Sequence, residues 1–146
     1  MQSRTADRRG RVRTWLGSAA LVAVVATAGS LWFSLGLGLV PCELCWYQRV
    51  LMYPLVVVLS VAAVDARASV WKTALPLSGL GVVVAGYHSW LQATTTTCSF
   101  GGPCAVVQWR LPVLGLTVPN LSFVAFLLVA GAVVAASTAP FRDSDG

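Results

Sequence analysis

The sequence predicts an all-α protein, a polytopic membrane four-helix bundle with both termini cytoplasmic. Three observations carry that expectation. Of the 146 residues, 57% are hydrophobic and only 10% are charged, and the mean hydropathy is +0.76. A soluble domain of this size has too little interior to hide so much apolar surface, so the surrounding solvent is lipid. Second, four stretches are nearly free of charge: 15–40, 42–64, 73–92 and 118–139. Third, the basic residues are unevenly placed. If the chain crosses four times from inside, the inner segments hold eight of the ten Lys and Arg, leaving Arg49 and Arg110 outside. That excess on one side marks the cytoplasmic face. The net charge of +5 therefore reads as membrane orientation, and no nucleic acid is expected. One four-span domain fills the chain, with an outer loop over 93–117.

The first span follows Arg4, Arg8, Arg9, Arg11 and Arg13, among which Asp7 is the only acid. Arg8-Arg9 also fits a twin-arginine export signal, and Ala26-Thr27-Ala28 a signal-peptidase site. The apolar run continues to Val40 without a polar break, longer than a cleaved segment, which favours a retained anchor. Ala19, Ala23 and Thr27 recur at four-residue spacing and would let a second helix approach closely. Gly36 and Gly38 loosen the end of this helix, and Pro41 turns the chain directly into the next.

The second span opens on Pro41-Cys42-Glu43-Leu44-Cys45-Trp46-Tyr47-Gln48-Arg49. Begun at Cys42 it extends about 34 Å at 1.5 Å per residue, enough to cross. If the helix starts near Pro41, a residue suited to the first helical position, then Cys42, Cys45 and Arg49 fall at i, i+3 and i+7 on one face. The thiols then sit at the positive end of the helix dipole with a guanidinium one turn below. Both features favour thiolate over thiol, as a reactive redox pair requires. The other use of such a pair is half of a zinc site, completed by Cys98 and Cys104. A fixed cation at Arg49 opposes a second cation there, so no metal is expected. Further along, Pro54 removes a backbone donor and is expected to kink the span.

Asp65-Ala66-Arg67 makes the inner turn. The third helix begins near Thr73, tolerates Pro76 in its first turn and ends in Tyr87-His88-Ser89-Trp90-Leu91-Gln92. His88, the single histidine, lies near the outer interface at about the depth of Arg49. On residues alone it reads as an interfacial histidine packed among aromatic neighbours. After four threonines comes Cys98-Ser99-Phe100-Gly101-Gly102-Pro103-Cys104. Gly-Gly-Pro supplies the turn freedom that allows a Cys98–Cys104 disulfide, whether reactive or an inert staple. Val106, Val107, Trp109 and Leu111 are placed to lie along the membrane surface. The fourth helix starts near Pro119, with Gly131, Ala135 and Ala136 as a small-residue face. All four cysteines fall on the outer side, where disulfides form and persist.

The block 41–49, with its CxxC followed by arginine, resembles the DsbB family of membrane disulfide oxidases. Cys-Trp-Tyr-Gln-Arg-Val-Leu-Met-Tyr-Pro, 45–54, is most similar to the short branch typified by BdbC. The resemblance implies a four-helix protein of the bacterial cytoplasmic membrane that supports disulfide bond formation in exported proteins. It implies a DsbA-like thioredoxin-fold dithiol oxidase as partner and a quinone, menaquinone or ubiquinone, as electron acceptor. The catalytic residues would be Cys42, Cys45, Cys98 and Cys104, working as Cys42–Cys45 and Cys98–Cys104 disulfides. Cys98 would face the partner and Cys45 the quinone. The His-x-x-Leu-Gln pattern of the family matches His88 and Gln92, which with Arg49 would bind the quinone. This chain departs from longer members in having only five residues between the second pair of cysteines. The alternative from another class is a heavy-metal-binding membrane transporter using the paired cysteines as soft ligands.

Overall fold

The computed structural model describes residues 2–94 and 104–139. Four helices account for most of them: α1 Gln2–Leu31, α2 Glu43–Asp65, α3 Trp71–Thr94 and α4 Val118–Thr138. Among the described residues the only β pairing is an isolated antiparallel bridge between Arg110 and Thr117. Each helix is long and apolar enough to cross a membrane. Neighbours in sequence are neighbours in space, and α1 against α4 closes the ring. Short connections enforce this order, because a chain leaving one helix end has reach only for an adjacent antiparallel partner.

Helix α1 starts well before Trp15. Its polar first turns are rich in arginine, a good helix former, and an Asp7–Arg11 pair at 3.0 Å bridges one turn. Arg13 donates to the carbonyl of Val64 at 2.9 Å, placing a cation at the negative end of α2. At the far end, α1 widens into a π-helical turn, Trp32–Gly36. Gly36 is required there, since a Cβ would lie 2.9 Å from the Trp32 indole. Gly38 then takes φ +68 to reverse the chain.

The start of α2 corrects one expectation. Pro41 is not its first helical residue. Cys42 is the N-cap, in extended conformation, and its carbonyl accepts the first helical bond from Trp46 at 3.1 Å. A cap residue stands half outside the helix, and from there the sulfur of Cys42 still meets that of Cys45 at 2.9 Å. Glu43 in the first turn meets the positive end of the dipole. The helix continues through Pro54 and stops at Ala66, whose left-handed φ of 51 lets Arg67 donate back to Ala62 at 2.9 Å.

The core is made of small and branched residues. Leu16, Leu55, Leu59, Phe126, Val129 and Val133 are fully buried, with Ala19 and Ala23 of α1 beneath them. Those two alanines behave as their spacing predicts. Gly131 does not, because it lies exposed on α4 while Val129, Val133 and Ala136 face inward. Outward-facing Leu21, Val25, Val57, Val83 and Leu128 are exposed, as a lipid-solvated surface allows. Helix α3 comes close to α4 at Gly81, where a Cβ would come within 2.2 Å of the Phe126 ring.

That contact generates a test. Gly81→Ala should cost about 1–3 kcal/mol by overpacking, and Phe126→Ala about 3–5 kcal/mol by leaving a cavity. Unfolding in a denaturing detergent, followed by tryptophan fluorescence, measures both. Combining Gly81→Ala with Phe126→Leu should recover part of the loss, because the residues share one space. Strict additivity of the two changes would show that the ring does not depend on the missing Cβ.

Candidate functional site

At one end of the bundle the head of α2, the end of α3 and the described part of the connector, 104–117, converge. Cys42 is buried and Cys45 half-buried. Both are thiols, with their sulfurs 2.9 Å apart in hydrogen-bond contact. A disulfide is about 2.0 Å long, so closing the bond takes a sulfur movement of about 1 Å. Cap and first turn produce this pairing, since residues at N-cap and N3 lie over one another at the helix start.

His88 comes from α3 and is 2% exposed. Its Nε2 lies 3.0 Å from the carbonyl oxygen of Cys104 and 3.8 Å from the Cys42 sulfur. Its Nδ1 lies 3.0 Å from Gln48 Nε2. These contacts fix the tautomer. A carbonyl can only accept, so Nε2 carries the hydrogen, and Nδ1 of the neutral ring is then the acceptor for the Gln48 amide. The imidazole thus ties the Cys104 backbone to the CxxC. Cys104 is itself fully buried. Cys98, and with it the Cys98–Cys104 bond, lies outside the described residues.

Arg49 does not point along the cysteine stripe. Its guanidinium donates to Ser30 Oγ at 3.0 Å, to the Ser30 carbonyl at 3.1 Å and to Ser34 Oγ. It also stands 5.3 Å from the centre of the Trp46 ring. Ser30 of α1 and Ser34 of the π-helical turn, four residues apart, form a polar notch where a half-buried cation gains more from fixed acceptors than from open lipid. Tyr53 reaches the same Ser30 hydroxyl at 3.5 Å.

The connector is held at several points. Gln92 donates to the carbonyl of Val106 at 3.3 Å, and Gln108 to that of Val40 at 3.1 Å. Trp109 packs on Phe33 with ring centres 4.8 Å apart. Arg110 pairs with Thr117 across a turn that Gly115 makes at φ +65. The connector therefore folds over the ends of α1 and α3.

Beneath it lies a cavity of about 660 Å³. Cys42, Cys45, Arg49, His88 and Gln92 all line its polar end. Its walls are apolar side chains of α1 and α4, among them Leu21, Val25, Val124 and Leu128, each of which is also exposed on the outer surface. The space is thus a crevice open toward the outward-facing apolar surface, with the Cys42 and Cys45 sulfurs at its head. Its size suits a small organic molecule. Gln92 Oε1, buried and without a hydrogen-bond partner among the described residues, is an acceptor awaiting a donor.

The structure therefore brings together Cys42, Cys45, Arg49, His88, Gln92 and Cys104. Sequence reasoning assigned no role to Gln48, Ser30 or Ser34. Their signal was present: each is a polar residue inside an otherwise apolar run, and such residues face the bundle interior.

Residues 12–136 match the family described as "Disulfide bond formation protein DsbB". A "Probable disulfide formation protein" of Oceanobacillus iheyensis is 41% identical over 114 residues, covering 73% of this chain and 77% of that protein. "Disulfide bond formation protein C" of Bacillus subtilis is 38% identical over 117 residues, covering 75% and 82%. A "Probable disulfide formation protein" of Coxiella burnetii is 38% identical over 116 residues, covering 75% and 78%. No solved structure matches the chain.

The tautomer can be measured directly. The chain has one histidine, so the imidazole nitrogens labelled with ¹⁵N give a single pair of signals. Nε2 should be the protonated nitrogen and Nδ1 the bare one. Gln48→Leu should shift the Nδ1 signal most, because it removes that donor. A proton on Nδ1 in the unaltered protein would contradict the bond to the Cys104 carbonyl.

Proposed function

The chain belongs to the DsbB family of disulfide bond formation proteins, and from that membership we propose that it reoxidises a DsbA-like thioredoxin-fold partner and passes the electrons to a membrane quinone. As a member it is a multi-pass membrane protein with thiol–disulfide oxidoreductase chemistry. The partner, the acceptor and the extracytoplasmic position of both cysteine pairs belong to the proposal. So do the cytoplasmic position of both termini and the choice between menaquinone and ubiquinone. The observation that carries it is the crevice between α1 and α4, open to lipid and headed by Cys45. A partner in solution and an acceptor in the bilayer need a protein that offers sulfur to both, and Cys45 at the head of an apolar crevice supports the second half of that reading.

The steps follow from thiolate chemistry. A partner thiolate attacks a sulfur of the Cys98–Cys104 disulfide, breaking that bond and forming a mixed disulfide. The second partner thiol resolves it, leaving the partner oxidised and Cys98 and Cys104 reduced. That dithiol then reduces Cys42–Cys45 by the same exchange. The reach between pairs is short, because His88 bonds the Cys104 carbonyl while touching Cys42. Two electrons and two protons then leave the Cys42–Cys45 dithiol.

A quinone in the crevice supplies a two-electron, two-proton acceptor at the sulfur. Arg49 and Gln92 are the residues that would hold its oxygens. The Arg49 cation stands where negative charge develops, in surroundings that screen it little. Both ring nitrogens of His88 are already engaged, so His88 contributes wall and position more than a free donor. Metal transport, the other class, finds no support below the site. There the fully buried side chains include Leu16, Leu55, Leu59, Phe126 and Val133, and the buried Ser78 hydroxyl is engaged by the Ala74 carbonyl of its own helix.

Purified protein should oxidise a reduced thioredoxin-fold protein only when quinone is added. Arg49→Ala should raise the quinone KM roughly tenfold to a hundredfold, the equivalent of about 1.5–3 kcal/mol for a charged hydrogen bond. Arg49→Lys should recover part of that loss, since it keeps the charge but not the planar fork. Oxidation of the partner without quinone in many turnovers, or Arg49→Ala with unchanged kinetics, would defeat the assignment.

A further inference from the structure

Outside the redox cycle, the same end of the bundle presents a second chemistry. The sulfurs of Cys42 and Cys45 and a ring nitrogen of His88 all lie within 4.8 Å of one another. We propose that the reduced protein binds one zinc-class divalent cation through Cys42, Cys45 and His88, in a state exclusive of the Cys42–Cys45 disulfide.

The donor set is right for such an ion. Two thiolates and an imidazole suit a borderline-soft d¹⁰ cation and leave a fourth position for water. Tetrahedral coordination at about 2.3 Å to sulfur and 2.0–2.1 Å to nitrogen separates two sulfurs by about 3.8 Å and sulfur from nitrogen by about 3.5 Å. The Cys42-to-His88 distance is 3.8 Å. The two sulfurs, at 2.9 Å, need to part by about 1 Å, which a side-chain rotation at the N-cap supplies. Two thiolates cancel the charge of a divalent ion, so the buried complex is neutral and its desolvation cost is small. The fixed cation expected to oppose metal keeps its charge beside the site, but Arg49 hydrogen-bonds Ser30 and Ser34 and leaves both sulfurs free as ligands, and two thiolate charges outweigh one guanidinium.

A second shell is already built. Metal-bound histidines hold their other nitrogen in a hydrogen bond, and Gln48 stands 3.0 Å from Nδ1. Turning the Gln48 carboxamide over presents its oxygen to an Nδ1–H and frees Nε2 for the metal. That switch removes the Nε2–H bond to the Cys104 carbonyl. Metal and connector therefore compete for one nitrogen, and the loaded form loses the tie between Cys104 and the CxxC. Binding releases two protons, one from each thiol, and changes no oxidation state.

The test uses the full chain in detergent with neither quinone nor partner present, so its result is independent of the proposed oxidase activity. After reduction and removal of the reductant, zinc is added, excess is removed by desalting, and metal is counted. The expected result is one zinc per reduced chain and none per chain carrying the Cys42–Cys45 disulfide. Cobalt in place of zinc should show a thiolate-to-metal charge-transfer band and the strong visible bands of a tetrahedral site. The Cys98→Ala/Cys104→Ala variant should keep the metal, and Cys42→Ser should lose it. Gln48→Ala should weaken binding about tenfold to a hundredfold, as loss of a second-shell partner does. Because Gln48→Ala alters no ligand, it also guards against a His88 variant that fails to fold. Equal zinc in reduced and oxidised chains, retention in Cys42→Ser, or loss in the Cys98→Ala/Cys104→Ala variant would overturn the proposal.

Discussion

Everything at the cysteine end of this bundle depends on one buried imidazole. His88 has three neighbours from three parts of the chain: Gln48 of α2, the Cys42 sulfur at the α2 cap and the Cys104 carbonyl of the connector. A neutral ring has one donor and one acceptor, and here both are used with their roles fixed. Remove the ring and a buried amide and a buried carbonyl lose their partners, each at a cost of about 1–3 kcal/mol. The connector would lose its attachment to the CxxC as well. The imidazole is thus the joint through which the fold sets the distance between a loop cysteine and a helix cysteine.

The remainder of the bundle serves that joint and the crevice beside it. Gly81 admits Phe126 so that α3 and α4 close tightly, while α1 and α4 part enough to leave the cavity. The π-helical turn at the end of α1 and the reversal at Gly38 bring the chain to Cys42 through the short non-helical stretch 37–42. Arg49 binds that turn to α2 through Ser30 and Ser34. A cation so placed braces two helices at the mouth of the crevice and adds positive potential beside the thiols, a structural and a chemical role in one side chain.

Much of this was legible in the residues. Four apolar runs separated by short polar turns allow little besides four antiparallel helices. The CxxC at the head of a span marked where the site lies, and Gly38 and Pro41 announced the sharp entry. The rest turned on tertiary contacts that local spacing does not encode. Helical periodicity placed Arg49 on the cysteine stripe, but a long side chain follows its acceptors, and those sit on α1. Pro41 suits a first helical position, yet the N-cap is Cys42, whose extended backbone starts the helix at Glu43. Gly131 is small, but smallness alone does not say which face of α4 turns inward. Gln48 was in plain view inside the motif. Its role needed the knowledge that His88, forty residues on, packs against it.

On the proposed electron path, His88 holds Cys104 within exchange range of the Cys42–Cys45 pair. Single-turnover trapping tests it most directly. Fully oxidised protein is mixed with one equivalent of reduced thioredoxin-fold partner, without quinone, and the thiols at Cys42 and Cys45 are followed by alkylation mass shift. The account predicts that electrons reach Cys42–Cys45 in the unaltered protein. In His88→Ala this step should be roughly a hundredfold slower, the cost of about 1 Å of misplacement, while entry of electrons at the second pair stays fast. Transfer at the same rate in His88→Ala would contradict it.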